Sequence, residues 1–341
     1  MKAAQWNPNE ERVAVNEIPF PEPAPNQILI KMASASLCHS DLMSIRRPNL
    51  TSPFTLGHEG AGYVYKLGSN CQDKGFKEGD PVGFLYINGC CFECEGCMIH
   101  NTHCKNGNPS VAGFGEMGFF QEYAPVDWQN IIHLPPSLDP KGSSAIFCAG
   151  ITAFHAVDSC DLKPGQWLAV VGAGGLGQLA TQYAKAMGFN VVAVDINDKA
   201  LETCKTQGAD LTVNSKSDGE SHVDKVKNIT QGGVHAAAVF SAASAAYKGA
   251  LGLIRTGGVL MAIGIPTENI PVSVYDLVVG NYRVKAESTG IPQRMKKAVD
   301  FTAEHGIVPQ VEIWPSLEDV DQMVKRMQAG ESSRRMGVVF D

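Results

Sequence analysis

Between the short apolar run Leu168-Ala169-Val170-Val171 and a helical stretch through Gln182-Tyr183-Ala184-Lys185-Ala186-Met187 lies Gly172-Ala173-Gly174-Gly175-Leu176-Gly177. Three glycines in a G-x-G-x-x-G pattern constrain the backbone to a strand, a tight turn and a helix pressed back on that strand. The first glycine permits the turn. The second lets the backbone approach a pyrophosphate, and the third lets helix and strand pack closely. The helix start adds unpaired N–H groups and a partial positive charge for an anion. Alone, the pattern is also that of an ordinary strand–helix turn. Here Val191-Val192-Ala193-Val194 supplies the next strand and ends on Asp195. A carboxylate at that position accepts hydrogen bonds from both ribose hydroxyls and repels a 2′-phosphate, which selects NAD over NADP.

The same grain continues, with helix near 198–207, strand near 211–214, helix near 222–230, strand 236–240, helix near 244–254 and strand 258–264. Tyr282–Ala286 can supply a sixth strand, and the polar stretch Asn214–Ser221 is expected to be a surface loop. Strands alternating with helices predict βαβ units and a doubly wound parallel sheet. Residues 1 to about 150 differ. Short β-type runs such as Gln27–Met32 and Gly60–Tyr65 are broken by Pro19, Pro21, Pro23, Pro25 and Gly79-Asp80, which predicts a compact, mainly β domain. From about residue 288 the pattern is helix, loop, helix, strand, and this tail is expected to return to the first domain. A length of 341 residues holds about two domains.

A net charge of −7, with scattered lysines and arginines, argues against nucleic acid or an acidic membrane surface as partner. The N-terminus lacks a signal-type apolar core, and no apolar run reaches the ~18 residues of a spanning helix. A cytoplasmic protein is expected, in which the ten cysteines are thiols or metal ligands.

Four of those cysteines, Cys91, Cys94, Cys97 and Cys104, fall within fourteen residues. Four sulfurs complete a tetrahedral zinc shell without an open position, which is a structural site. Cys90 is a spare neighbour, and His100 or His103 could replace one sulfur. A second set is dispersed: Cys38, His58 and Cys148. Singly, a cysteine beside Ala149 and Gly150 is more often a small core residue than a ligand, and a lone histidine more often a satisfied polar side chain. Joined, two thiolates and an imidazole leave zinc one open position, which is a catalytic arrangement.

With these residues in view, the chain resembles the zinc-dependent alcohol dehydrogenases of the medium-chain dehydrogenase/reductase superfamily over essentially its whole length. The most specific part is Gly57-His58-Glu59-x2-Gly62-x5-Gly68-x2-Cys71, supported by Cys38-His39-Ser40-Asp41 and by Cys148-Ala149-Gly150-Ile151-Thr152. The resemblance implies a GroES-like catalytic domain of 1–150 plus 289–341, with two zinc sites, and a Rossmann domain of 151–288, with the active site in the cleft. It implies Cys38, His58 and Cys148 as ligands of a catalytic zinc and Cys91, Cys94, Cys97 and Cys104 as ligands of a structural one. Glu59 is implied as an exchange ligand, Asp41 as the group orienting His58, and Ser40 as the hydroxyl that meets the substrate oxygen. Thr152, Lys199 and Arg335 are implied at the coenzyme, with His39 and Arg335 candidates for the pyrophosphate. Hydride transfer between an alcohol and NAD follows, in a homodimer or homotetramer often built by extending the coenzyme-domain sheet.

The chain departs from the common pattern in three places. Met43 stands where many relatives carry the histidine that ends the proton relay. The Cys97-to-Cys104 spacing is one residue shorter. The segment Met43–Leu56 is shortened, and Tyr86 is the candidate aromatic wall of the substrate pocket. Met43 and the short segment keep open a polyol, amino-alcohol or secondary-metabolite carbonyl reductase. More remote is a non-catalytic dinucleotide-binding protein.

Overall fold

The computed structural model describes residues 1–48, 50–219, 221–270 and 272–341. Asn49, in the shortened segment, and Glu220, in the expected polar loop, therefore lie outside the described residues. The chain divides into two compact units, Met1–Cys148 with Gly290–Asp341, and Ala149–Thr289.

In the unit Ala149–Thr289, six parallel strands are paired among the described residues. From one edge they are Leu211–Asn214, Asn190–Asp195, Trp167–Val171, Val234–Val239, Ile254–Ala262 and Tyr282–Ala286. Numbered along the chain, this is the order 3-2-1-4-5-6 of the doubly wound dinucleotide fold, whose strand order reverses at Trp167–Val171. The central strands are buried nearly throughout, with Leu168, Ala169, Val170, Val191, Val192 and Ala236 inaccessible to solvent. That suits a parallel sheet covered on both faces by helices. The helix after the glycine loop runs Gly175–Ala186. The fifth strand begins earlier, at Ile254, because an irregular stretch interrupts its pairing before Val259.

The other unit is mainly β. Its larger sheet runs Ile131–His133, Pro81–Phe84, Glu59–Leu67, Gln27–Leu37, Arg335–Val339 and Val311–Trp314, and Tyr123–Asp127 pairs with the start of Gln27–Leu37. A smaller sheet joins Arg12–Glu17, Lys2–Asn7 and Phe54–Thr55. Val311–Trp314 is a correction to the expected tail, where the sequence predicts only loop between the two helices. It pairs in parallel with Arg335–Val339, so its place depends on the final strand rather than on local pattern. The strand Gln27–Leu37 is the spine. It pairs with Glu59–Leu67 so that Ser36 faces Glu59, Ala35 faces Gly60 and Met32 faces Gly62. At Gly62 an added Cβ would lie 2.2 Å from the Lys31 carbonyl oxygen, so this position of the histidine–glutamate motif has room only for hydrogen. Cys71, the last residue of that motif, is fully buried and directs its thiol at the Pro25 and Gln27 carbonyls, both at 3.5 Å. No helix among the described residues is long and apolar enough to cross a membrane.

Candidate active site

Where the spine strand ends, the chain turns into the helix His39–Ile45, with Cys38 as its N-cap. Asp41, fully buried in the first turn, accepts the Cys38 N–H at 2.8 Å through Oδ2. Its other oxygen, Oδ1, accepts the ring Nδ1–H of His58 at 2.9 Å. With Nδ1 so engaged, Nε2 is the nitrogen left for a metal. Glu59 begins its strand opposite Ser36, whose hydroxyl donates to Oε2 at 2.5 Å. Cys148 follows the turn Ser144–Phe147. One ligand atom each from Cys38, His58, Glu59 and Cys148 lies within 4.8 Å of all the others, and all four residues are buried.

Arg335, expected at the coenzyme pyrophosphate, is 6 % exposed at the start of the last strand. Its Nη1 donates to the Leu37 carbonyl at 3.1 Å and stands 3.5 Å from Glu59 Oε1. Among the described residues, its Nε and Nη2 have no hydrogen-bond partner, nor has Glu59 Oε1.

The electrostatics follow from burial of ionisable groups in one place. A hydrogen bond from Cys148 holds the Cys38 thiol well below its usual pKa against the opposing effect of burial, with Arg335 and His58 adding to the shift. The same bond, and burial, hold Cys148 well above it. Burial alone would lower His58, but the charge and hydrogen bond of Asp41 outweigh it and raise the imidazole. Burial lifts Glu59 to about 7 against the pull of Arg335. Such a set is adapted to hold a cation, since a divalent ion removes the conflict among buried anions.

Around this cluster, Ser40 places its hydroxyl 3.9 Å from the Cys38 sulfur. His39 is exposed, and Met43 is 46 % exposed. The Tyr86 ring meets His58 edge-on at 5.0 Å, and Phe114 lies tilted against it at 5.5 Å. Phe114 and Ser36 escape the sequence reading. Both act across loops or strands whose register no local pattern specifies.

The cysteine lobe lies between the short paired strands Ile87–Asn88 and Ser110–Val111. Its four sulfurs also lie within 4.8 Å of one another. Cys91 and Cys97 sulfurs are 3.9 Å apart, and Cys91 and Cys104 sulfurs 3.6 Å. Zinc–sulfur bonds of about 2.3 Å in a tetrahedron place sulfurs about 3.8 Å apart, so the donor set fits zinc. The shorter Cys97-to-Cys104 spacing does not exclude the fourth sulfur. Backbone amides point at the sulfurs, with Lys105 N–H on Cys94 at 3.4 Å, and Cys91 and Gly107 N–H on Cys104 at 3.3 and 3.2 Å. The Lys105 and Cys97 amides pull Cys94 down to about 6. Cys90 turns its thiol to the Asn101 carbonyl at 3.3 Å, and His100 is engaged with Thr102.

In the other unit, Gly172 has φ +98°. A Cβ on Gly174 would meet nothing within 4 Å, whereas one on Gly177 would lie 1.9 Å from the Gly172 carbonyl. Turn, open approach and tight packing are thus divided among the three glycines, with Gly175 and Leu176 opening the helix. Asp195 holds the loop to the second strand. Its Oδ2 accepts Ala173 N–H at 2.6 Å, and Oδ1 accepts Ile196 and Asn197 N–H at 2.7 and 2.9 Å. Lys199 is exposed in the first turn of Asp198–Thr206. Thr152 is buried in the helix Ala149–Asp158, its hydroxyl 3.1 Å from that of Thr289.

The alcohol dehydrogenase GroES-like domain family matches residues 24–136, and the zinc-binding dehydrogenase family matches residues 175–304. An alcohol dehydrogenase of Geobacillus stearothermophilus is 34 % identical over 347 aligned positions, covering 100 % of both chains. The chain belongs to the zinc-type alcohol dehydrogenases. The structure of an alcohol dehydrogenase from the hyperthermophilic archaeon Aeropyrum pernix superposes with a TM-score of 0.87 at 25 % identity, covering 100 % of both chains. An acetophenone reductase from Geotrichum candidum, solved in complex with NAD, shares the fold with a TM-score of 0.84 at 24 % identity, over 99 % of this chain and 97 % of that one. The reaction class of the zinc-type alcohol dehydrogenases is oxidation of an alcohol or reduction of a carbonyl.

The division of labour in the glycine loop has a direct test in urea unfolding. Gly177→Ala is expected to cost about 1–3 kcal/mol through overpacking, and Gly174→Ala less than about 1 kcal/mol. Equal losses would remove the distinction.

Proposed function

We propose that this chain is an NAD-linked alcohol dehydrogenase that carries two zinc ions. One is held by Cys38, His58 and Cys148, with Glu59 as exchange ligand, and the other by Cys91, Cys94, Cys97 and Cys104. The observation that carries this reading is the buried quartet of Cys38, His58, Glu59 and Cys148, with Asp41 fixing the imidazole. When bound, the first zinc supplies Lewis acidity at the substrate oxygen and NAD supplies the hydride acceptor.

The residues divide the remaining tasks. Asp41 presents His58 Nε2 to the ligand cluster. Glu59 Oε1, without a hydrogen-bond partner among the described residues, is the carboxylate oxygen available for exchange, and Arg335 steadies it. Ser40 takes the substrate hydroxyl proton by hydrogen bond. Met43 carries no proton, so the exit from Ser40 runs through exposed His39 or through water. The Tyr86 and Phe114 rings beside His58 give the substrate an apolar wall, which favours alcohols and carbonyls with apolar substituents over polyols.

Gly174, open on its Cβ side, leaves the loop clear for a pyrophosphate, and Asp195 at the end of the second strand meets the adenosine ribose. Tyr282–Ala286 is the edge strand of its sheet. It carries exposed Val284, near the exposed Val274, Tyr275 and Val278 of the helix Val274–Val278, which favours a homo-oligomer built across that edge. None of the ten cysteines forms a disulfide, which suits a reducing cytoplasm.

Metal analysis of the purified protein is expected to give two zinc per chain; one or none removes the two-site reading. Cys148→Ala is expected to lose one zinc and all turnover while NAD binding persists, and surviving activity would exclude Cys148 as a ligand. Asp41→Asn is expected to weaken the catalytic zinc about 10–100-fold in chelator competition, and an unchanged affinity would deny Asp41 its orienting role. Asp195→Ala is expected to weaken NAD and relax discrimination against NADP. Unchanged preference in paired titrations would show that Asp195 does not reach the ribose.

A further inference from the structure

The glycine loop lies at the C-terminal end of its strand. At the opposite, N-terminal ends of the same strands, a cavity of about 250 Å³ opens in the unit Ala149–Thr289. His235, Arg255 and Arg283 are each the second residue of a strand, namely Val234–Val239, Ile254–Ala262 and Tyr282–Ala286. All three line the cavity, together with Lys163. Asp161 also lines it, but its charge is matched by an ion pair with Lys285. Among the described residues, none of Lys163, Arg255 and Arg283 makes a salt bridge. Three cations therefore face one space against a single carboxylate, Asp161, which is ion-paired with Lys285 and also feels the charge of Arg283.

The hydrogen bonding in the wall is one acceptor short. His235 Nδ1 accepts the Trp167 backbone N–H at 3.1 Å. A neutral imidazole has a single acceptor nitrogen, so Nε2 carries the hydrogen. Yet Nε2 lies 2.6 Å from Arg255 Nη1, and a guanidinium has only donors. Turning the ring over would forfeit the Trp167 bond. Two donors thus confront each other, and a ligand oxygen beside the pair would accept from both.

The backbone is built to create this confrontation. Val234 pairs with Ile254 and Ala236 with Val259, so residues 255–258 are looped out opposite His235. Gly257 within that loop has φ +76°. Irregularities of this kind commonly re-aim a side chain beside a binding site. Here the loop swings Arg255 over His235, and its Nη2 is anchored on the Gln231 carbonyl at 3.0 Å. Arg283 is steadied from the next strand by the Gly257 carbonyl at 3.4 Å.

We propose that this cavity is an anion site, distinct from the coenzyme loop, that takes a small phosphate-bearing metabolite. Arg255 and Arg283 grip the phosphate oxygens and His235 Nε2–H is the third donor. Two guanidinium forks from neighbouring strands match the several acceptor oxygens of a phosphate. Burial and the adjacent Arg255 hold His235 below its usual pKa, so the ring enters the site neutral, with one N–H to offer.

Calorimetric titration of inorganic phosphate and of ribose 5-phosphate tests the site, using the full-length zinc-loaded enzyme with saturating NAD and ionic strength held with sodium chloride. Saturable binding is expected, weakened about tenfold by Arg255→Gln and about tenfold by Arg283→Gln. Arg255→Lys is expected to restore it only in part, because a point charge cannot replace the fork. Phosphate is also expected to raise the melting temperature of the wild type but not of the double variant. Tighter binding of ribose 5-phosphate marks the metabolite as the ligand. Absence of saturable binding to the wild type overturns the site, as does unchanged affinity in either single variant. Arg283→Gln alters an exposed side chain and keeps the test decisive should Arg255→Gln fail to fold.

Discussion

One carboxylate organises the catalytic unit. Asp41 caps the helix at Cys38 with one oxygen and holds the ring of His58 with the other. The first bond fixes where the spine strand stops and the helix starts, and so where the Cys38 sulfur sits. The second fixes which imidazole nitrogen faces that sulfur. Because both bonds come from one rigid, fully buried group, the two donors cannot drift independently. Preorganisation of this kind gives a metal site its geometry before a metal arrives.

The same region concentrates charge that a protein interior normally rejects. Cys38, Cys148, Glu59 and His58 would repel or strand one another as separate buried ions. Arg335 offsets part of this from the start of the last strand, and Ser36 supports the far oxygen of Glu59. What remains is a deficit of positive charge in a space bounded by two sulfurs, a nitrogen and a carboxylate oxygen. The cysteine lobe solves its own version differently. There, backbone amides donate to the sulfurs and lower their cost as thiolates. The first donor set would leave an open position on a bound metal, while the second would close around one.

The coenzyme unit separates its two ends by the same parallel-sheet logic. At the C-terminal ends, Gly172, Gly174 and Gly177 open a path to a helix start. At the N-terminal ends, an irregular pairing between neighbouring strands gathers Arg255, Arg283 and His235 around a cavity. Parallel strands all start at one end of the sheet, so residues near their starts cluster without being close in sequence, and the looped-out stretch before Val259 supplies Arg255 outside the regular register.

Features that depend on nearby residues were legible in the amino-acid sequence. The glycine pattern between a strand and a helix determines a tight turn wherever it occurs, and the alternation of strands and helices determines a parallel sheet. Four cysteines within fourteen residues cannot be far apart in any fold. Tertiary structure alone decided what depends on register between distant segments. It joined Cys38, His58 and Cys148, set Ser36 opposite Glu59, and brought Arg335 from the far end of the chain beside that glutamate. It laid Phe114 on His58, made Val311–Trp314 a strand by pairing it with the last one, and turned Arg255 onto His235. A local pattern specifies which face of a segment is buried. Which partner covers that face is settled only when the strands pair, because pairing energy is shared among residues that the sequence keeps apart.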